Sequence, residues 1–196
     1  MDTFYTLKAP SEAVFTEKRS RFLSYAIPVE TREQAREEVR RISKEYFDAR
    51  HVCYAFMLGA DRSDFLANDN GEPSGTAGKP ILGQINSFSL TNIIIVVVRY
   101  FGGIKLGTPG LIAAYREAAR LAIEAGEIIE CHRREMLRIH FPYLAMNDVM
   151  KIVKGSEIQV LDQQFDNTCS MTLSMRADDF SSLSSRLLAL DGVTAD

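Results

Sequence analysis

Apolar positions recur along this chain with two alternating periods, and the alternation predicts a succession of strands and helices. Val14 to Val29 (VFTEKRSRFLSYAIPV) reads as two extended segments folded about a charged corner at Glu17–Arg21. Thr31 then opens a helix: Gln34, three residues on, completes a capping box, and Ala35, Val39, Ile42 and Tyr46 form one apolar stripe. His51–Leu58 (HVCYAFML) reads as a buried strand, and Gly59–Lys79 as a long polar loop. Pro80 suits the first turn of a helix reaching about Leu90. Ile93–Tyr100 (IIIVVVRY) is β-branched on both faces, the pattern of a central strand covered on both sides. Gly102–Gly110 leads into a helix over Leu111–Ala125 that Gly126 stops, and Glu127–His140 is extended again.

Beyond this point the order changes. Met136–Leu144 reads as a strand and Met146–Lys154 as a helix. Glu157–Phe165 and Cys169–Met175 read as paired strands joined by a tight turn at Asp166-Asn167. Asp178 caps a helix through Leu190, and Val193 begins a short last strand. This β-α-β-β-α order is that of a ferredoxin-like unit, so the whole chain is expected to be α+β with two domains, 1–134 and 135–196. Charge divides at the same place: residues 1–134 hold 18 Lys and Arg against 17 Asp and Glu, residues 135–196 hold 5 against 9.

A net charge of −3 gives no global attraction for phosphate backbones, so any nucleic-acid surface must be local. Cys53, Cys131 and Cys169 are odd in number and scattered, which suits free thiols in a reducing compartment. The first residues lack the basic-then-apolar order of a signal peptide, and the longest apolar run, Ile93–Val98, is too short to span a bilayer. The expected location is the cytoplasm, away from membranes.

The stretch Gly78–Gly107 (GKPILGQINSFSLTNIIIVVVRYFGGIKLG) resembles the signature of the Impact (YigZ-type) family, through Gly78, Ile81-Leu82, Ile85, Leu90, Val96-Val97, Arg99-Tyr100-Phe101-Gly102-Gly103, Leu106 and Gly107. Lys18-Arg19-Ser20-Arg21-Phe22 and the run from Asp69 to Gly78 (DNGEPSGTAG) are similar to further family segments. The resemblance implies an N-terminal α/β sandwich like the second domain of a small-subunit ribosomal protein and domain IV of elongation factor G. On element order, it implies a C-terminal domain like the ferredoxin-like domain V of that factor. Eukaryotic relatives regulate translation by competing for an activator of a kinase that phosphorylates an initiation factor, and some bacterial relatives carry a peptidase label.

The leading candidate site is RYFGGIKLGTPG. Gly102, Gly103, Gly107 and Gly110 allow tight turns and close approach to a ligand, and the segment ends at a helix N-terminus that favours an anion. Arg99 and Lys105 flank it, Arg116 follows along the helix, and Lys18, Arg19 and Arg21 can join the same face. Read structurally, the glycines make a sharp crossover out of the central strand. The DNGEPSGTAGKP loop offers Asp69, Glu72, Ser74, Thr76 and Lys79; two carboxylates three apart near hydroxyls can serve as acid and base or bind a cation, or, read structurally, the Asp and Ser cap turns. Pro73 and Pro80 exclude a Walker motif. His51 and Cys53 face one side of their strand, without enough partners for a metal site; no metal and no cofactor is expected. The ridge Arg32, Arg36, Arg40 and Lys44 has a neighbouring acidic row and is expected to be a self-paired, solvated face. Of Tyr100 and Phe101, one is expected in the core and the other open to stack on a base.

Three functions fit. The first is a non-catalytic regulator of translation that touches RNA, the ribosome or a translation-associated protein through Lys18, Arg19, Arg21, Lys79, Arg99, Gly102, Gly103, Lys105, Gly107 and Arg116. The second is a peptidase-like or phosphate-ligand enzyme using Glu72, Asp69 and His51. The third is a protein-interaction module that docks through its acidic C-terminal domain.

Overall fold

The computed structural model describes residues 2–166 and 168–196. Its contacts divide it into one unit of Thr3–Cys131 and a second of His132–Asp196 with Asp2. The first contains β1 (Thr3–Leu7), β2 (Ser11–Glu17), β3 (Ser20–Pro28), α1 (Arg32–Glu45), β4 (His51–Leu58), β5 (Asp64–Asn68), α2 (Gly78–Ser87), β6 (Ile93–Tyr100), α3 (Gly107–Glu124) and most of β7 (Ile128–His132). Five strands form an antiparallel sheet in the order β2-β3-β6-β4-β5; β1 and β7 make a separate pair.

The alternation of β6 builds both cores. Ile93, Ile95 and Val97 pack with Ile81 and Ile85 of α2 and with Ala118, Ala122 and Ile123 of α3. Ile94, Val96 and Val98 point the other way, toward Ala35 and Ile42 of α1. A strand covered on both faces has no polar side, as its sequence demanded. Period 2 also sends Arg99 toward α3 and Tyr100 toward α1, where the Tyr100 hydroxyl donates to Asp48 (2.7 Å). Helix α1 starts as expected: Gln34 N–H donates to Thr31 Oγ1 (3.2 Å), while the Gln34 side chain accepts from Glu30 N–H (2.7 Å) rather than from the cap residue itself.

Several boundaries differ from the sequence reading. Strand β5 lies inside the expected loop, pairing with β4 from Tyr54↔Asn68 to Leu58↔Asp64. It is an edge strand whose Phe65 is exposed, so its pattern is weak. Helix α2 begins at Gly78 and ends at Ser87, and α3 begins at Gly107, four residues before Leu111. Gly126 follows α3 without a left-handed φ. The limit there is space, since a Cβ would stand 2.8 Å from Ser11 Oγ.

The second unit runs β8 (Arg134–Phe141), a 3-10 turn, α4 (Met146–Lys154), β9 (Gln159–Phe165), β10 (Cys169–Arg176), α5 (Ala177–Leu188) and β11 (Thr194–Ala195). Its antiparallel sheet has the order β11-β8-β10-β9, the ferredoxin-like arrangement. Leu137, Ile139, Phe141, Met171 and Leu173 meet Val149, Val153 and Leu187 of the two helices. Asp178 sits inside the first turn of α5 rather than capping it, because the helix starts one residue earlier. The turn expected at Asp166-Asn167 involves Asn167, which lies outside the described residues. Among the described residues no helix is long and apolar enough to cross a membrane.

Candidate functional site

Strand pairing puts three side chains in one row beneath α3: Phe22 on β3, Arg99 on β6 and His51 on β4 are direct cross-strand partners. Arg99 is only 6% exposed. Its guanidinium donates from Nη1 to Glu72 Oε1 (2.6 Å) and lies 5.7 Å from the ring centres of both Phe22 and Phe101. Glu72 Oε1 also accepts from the Tyr115 hydroxyl of α3 (2.7 Å), and Ser20 Oγ is 3.5 Å from Arg99 Nη2. A buried ion pair is retained when its remaining polar atoms are bonded, and here Glu72 is bonded doubly. Arg99 Nε, in contrast, is buried without a partner.

Around this pair lies a cavity of about 390 Å³ lined by Arg50, His51, Glu72, Pro73, Arg99, Phe101 and the segment Lys105–Thr108 with Leu111. Pro73, Phe101, Leu106 and Leu111 give it apolar walls. Gly107 and Thr108 are the first two residues of α3, and no side chain caps that helix from its N-cap residue Leu106. The first turn of a helix carries N–H groups without internal partners and a partial positive charge. Glu72 is the sole acid in the lining and is matched by Arg99, so Arg50, Lys105 and His51 leave the cavity with an excess of cationic and donor groups. Among the described residues Arg50 and Lys105 have no carboxylate partner. His51 Nδ1 is 2.9 Å from the Asn70 carbonyl, which can only accept, so that nitrogen carries the proton; Nε2 lies 4.0 Å from Glu72 Oε2.

The other glycine-rich segment is spent internally. The Asp69 carboxylate accepts from the N–H groups of Gly75 (2.8 Å), Ala77 (3.0 Å) and Gly78 (2.8 Å), which caps α2 from nine residues away. Burial alone would raise its pKa, but those N–H groups and Lys79 hold it below the usual carboxylate value. Glu72 and Thr76 N–H donate to the carbonyls of Asp69 and Pro73. Asp69 thus organises the loop, and its carboxylate is occupied by three backbone N–H groups rather than open to the cavity. Cys53 faces the same interior: its Sγ is 2.9 Å from the Asp69 carbonyl and 3.4 Å from the Tyr115 hydroxyl, and burial raises its pKa to about 12. A thiol so placed is no nucleophile.

Of the predicted residues, the fold gathers His51, Glu72, Arg99, Lys105 and Gly107 at the cavity. Arg99 is there as a buried partner of Glu72, not as an open flank. Gly102 lies under the β2–β3 turn formed by Lys18 and Arg19, and Arg21 stands opposite Tyr100. Gly103, Lys79 and Arg116 lie outside the lining. Phe101 is 55% exposed and Tyr100 packs partly against the α1 core, so the open ring is Phe101. Of the α1 ridge, Arg36 pairs with Glu33 of the same helix and Arg32 with Asp64 of β5, while among the described residues Arg40 and Lys44 have no carboxylate partner; the expected self-paired face holds only in part. Sequence reading missed Arg50 and Tyr115; a tyrosine in an otherwise Ala-rich helix face was the signal for the second.

Comparison with known proteins follows the same residues. The Impact N-terminal domain matches residues 18–123. An IMPACT family member from Haemophilus influenzae is 34% identical over 181 residues, 90% of this chain and 88% of that protein. IMPACT family member YvyE of Bacillus subtilis is 37% identical over 139 residues, 71% of this chain and 63% of its own length, so less than two thirds of that relative is spanned. A crystal structure of a hypothetical protein, 27% identical, superposes with a TM-score of 0.77 over 100% of this chain and 97% of the other.

Proposed function

The chain belongs to the Impact family, and from that premise we propose that it is a non-catalytic regulator of translation whose first unit docks an RNA phosphate in the cavity at the N-terminus of α3. The observation that carries the reading is the uncapped start of α3 opening beside Lys105, Arg50 and His51, where the lone acid is already neutralised by Arg99. Apolar walls around a cationic floor suit a phosphate attached to a planar base better than a free inorganic anion. The role in translation comes from the family resemblance.

The enzymatic alternative has His51 and Glu72 at one cavity. Glu72, however, spends one oxygen on both Arg99 and Tyr115, which suits a structural carboxylate better than a proton carrier.

The experiment is cosedimentation of the full chain with ribosomes at low salt. Arg50→Ala/Lys105→Ala is expected to shift most of the protein to the supernatant with its fold unchanged. Cosedimentation that is absent in the parent chain, or unaltered in the variant, would remove the reading.

A further inference from the structure

The turn joining β2 and β3 has two residues, Lys18 and Arg19, because Glu17 pairs with Ser20. Both have left-handed backbones, with φ of 45° and 66°. A two-residue hairpin turn of this kind is normally Asn-Gly or Asp-Gly: glycine has no Cβ to clash with the following carbonyl, and the short polar side chain of Asn or Asp offsets that clash with a local hydrogen bond. Here two long basic side chains occupy both positions, against local preference. Such strain persists only where the surroundings over-determine it.

The surroundings do so. A Cβ on Gly102 would lie 2.0 Å from the Arg19 carbonyl carbon and 2.2 Å from its oxygen, so the RYFGG segment and the turn are in direct backbone contact. Gly102 N–H also reaches Ser20 Oγ (3.3 Å), the hydroxyl that Arg99 Nη2 approaches. The turn is therefore fixed to the residue that follows Phe101, a lining residue of the cavity. Lys18, Arg19 and Arg21 are exposed and, among the described residues, have no carboxylate partner; Glu17 is the single acid in the segment 17–21.

We infer that this turn is the second contact of a single-stranded RNA: one nucleotide enters the cavity, stacking on Phe101, and a neighbouring phosphate of the same strand is held by Lys18 and Arg19. The inference rests on the phosphate-docking reading and deepens it, by naming a flexible single strand as the occupant. A cavity of about 390 Å³ admits one nucleotide and excludes a duplex. The exposed ring of Phe101 offers a stacking platform that paired bases cannot use. Backbone contact with Gly102 holds the turn that carries both cations in one place, which reduces what ordering it costs on binding.

Two variants of the full chain test it, Lys18→Asn/Arg19→Gly and Lys18→Ala/Arg19→Ala, against a twelve-nucleotide single-stranded RNA and against a mononucleotide. The first relaxes the turn and removes its charge; it is expected to melt a few degrees higher (~2–5 °C) than the parent. The second keeps the left-handed strain and removes only charge, so it is expected to melt no higher. Both are expected to bind the RNA about twentyfold more weakly at 0.1 M salt, the effect of two lost phosphate contacts on a single strand, with mononucleotide affinity unchanged. RNA affinity unchanged in both variants, while Arg50→Ala/Lys105→Ala weakens it, overturns the turn's role and leaves the cavity reading standing. Weakened mononucleotide binding overturns the division of labour between cavity and turn. No melting gain in Lys18→Asn/Arg19→Gly overturns the claim that the turn holds strain for function. An RNA indifferent to all three variants, or not bound, removes both readings together.

Discussion

Glu72→Gln would strip the Arg99 guanidinium of its charge partner in a site where both side chains are over nine-tenths buried. Leaving one member of a buried pair unmatched costs about 3–5 kcal/mol, whereas removing both charges costs much less. Denaturant unfolding is therefore expected to place Glu72→Gln/Arg99→Met above Glu72→Gln alone; equal losses would mean the pair contributes as separate hydrogen bonds. Asp69 allows a second forecast with a definite sign. Its pKa is lowered in the folded protein, so its stabilising effect is complete above the unfolded value of about 4 and fades as pH falls through the lower folded value. Asp69→Asn should lower stability at neutral pH and flatten the acid limb below about pH 4. An acid limb as steep as the parent's would show that other carboxylates control it. Arg99 also marks the limit of reading single residues: it stands at an odd position of β6, in line with Ile93, Ile95 and Val97, so its inward direction was available from the alternation. That Glu72 would meet it was not, because the two are 27 residues apart with the whole of α2 between them.

Elements with strong periodicity were legible: the two-faced strand β6, the capping box and stripe of α1, and the ferredoxin-like order of the second unit each carry a pattern that no other structure satisfies well. Strands β1 and β5 were not. Neither β1 nor β5 has a continuous buried face, and half-exposed strands resemble loops in sequence. The start of α3 was hidden by Gly107, Pro109 and Gly110, poor helix formers that the first turn tolerates because its N–H groups have no helical partners to lose. Gly126 looked like a helix stop for conformational reasons, while its actual constraint is the contact with Ser11. Gly126→Ala is accordingly expected to cost about 1–3 kcal/mol through overpacking, with part of the loss recovered by Ser11→Ala. A loss indifferent to Ser11→Ala would place the strain elsewhere in the β1–α3 packing.

At the scale of the molecule, the net charge of −3 and pI near 5.7 mean that any RNA affinity must come from a few cations acting locally. The cavity was only half legible for the same reason that it is local: His51 and Lys105 stood out as candidates, but their meeting with Arg50 depends on the pairing of β4 with β6 and the crossing of α3 over the sheet, which leave no mark at Arg50 in the sequence. The decisive measurement is the salt dependence of single-stranded RNA affinity for the parent chain and for Arg50→Ala/Lys105→Ala. A linear fall of log affinity with log salt is expected in the parent, with a slope shallower by about 1.4 in the variant, the effect of two lost phosphate contacts. An identical slope in the two proteins, or no affinity in the parent at low salt, would contradict it.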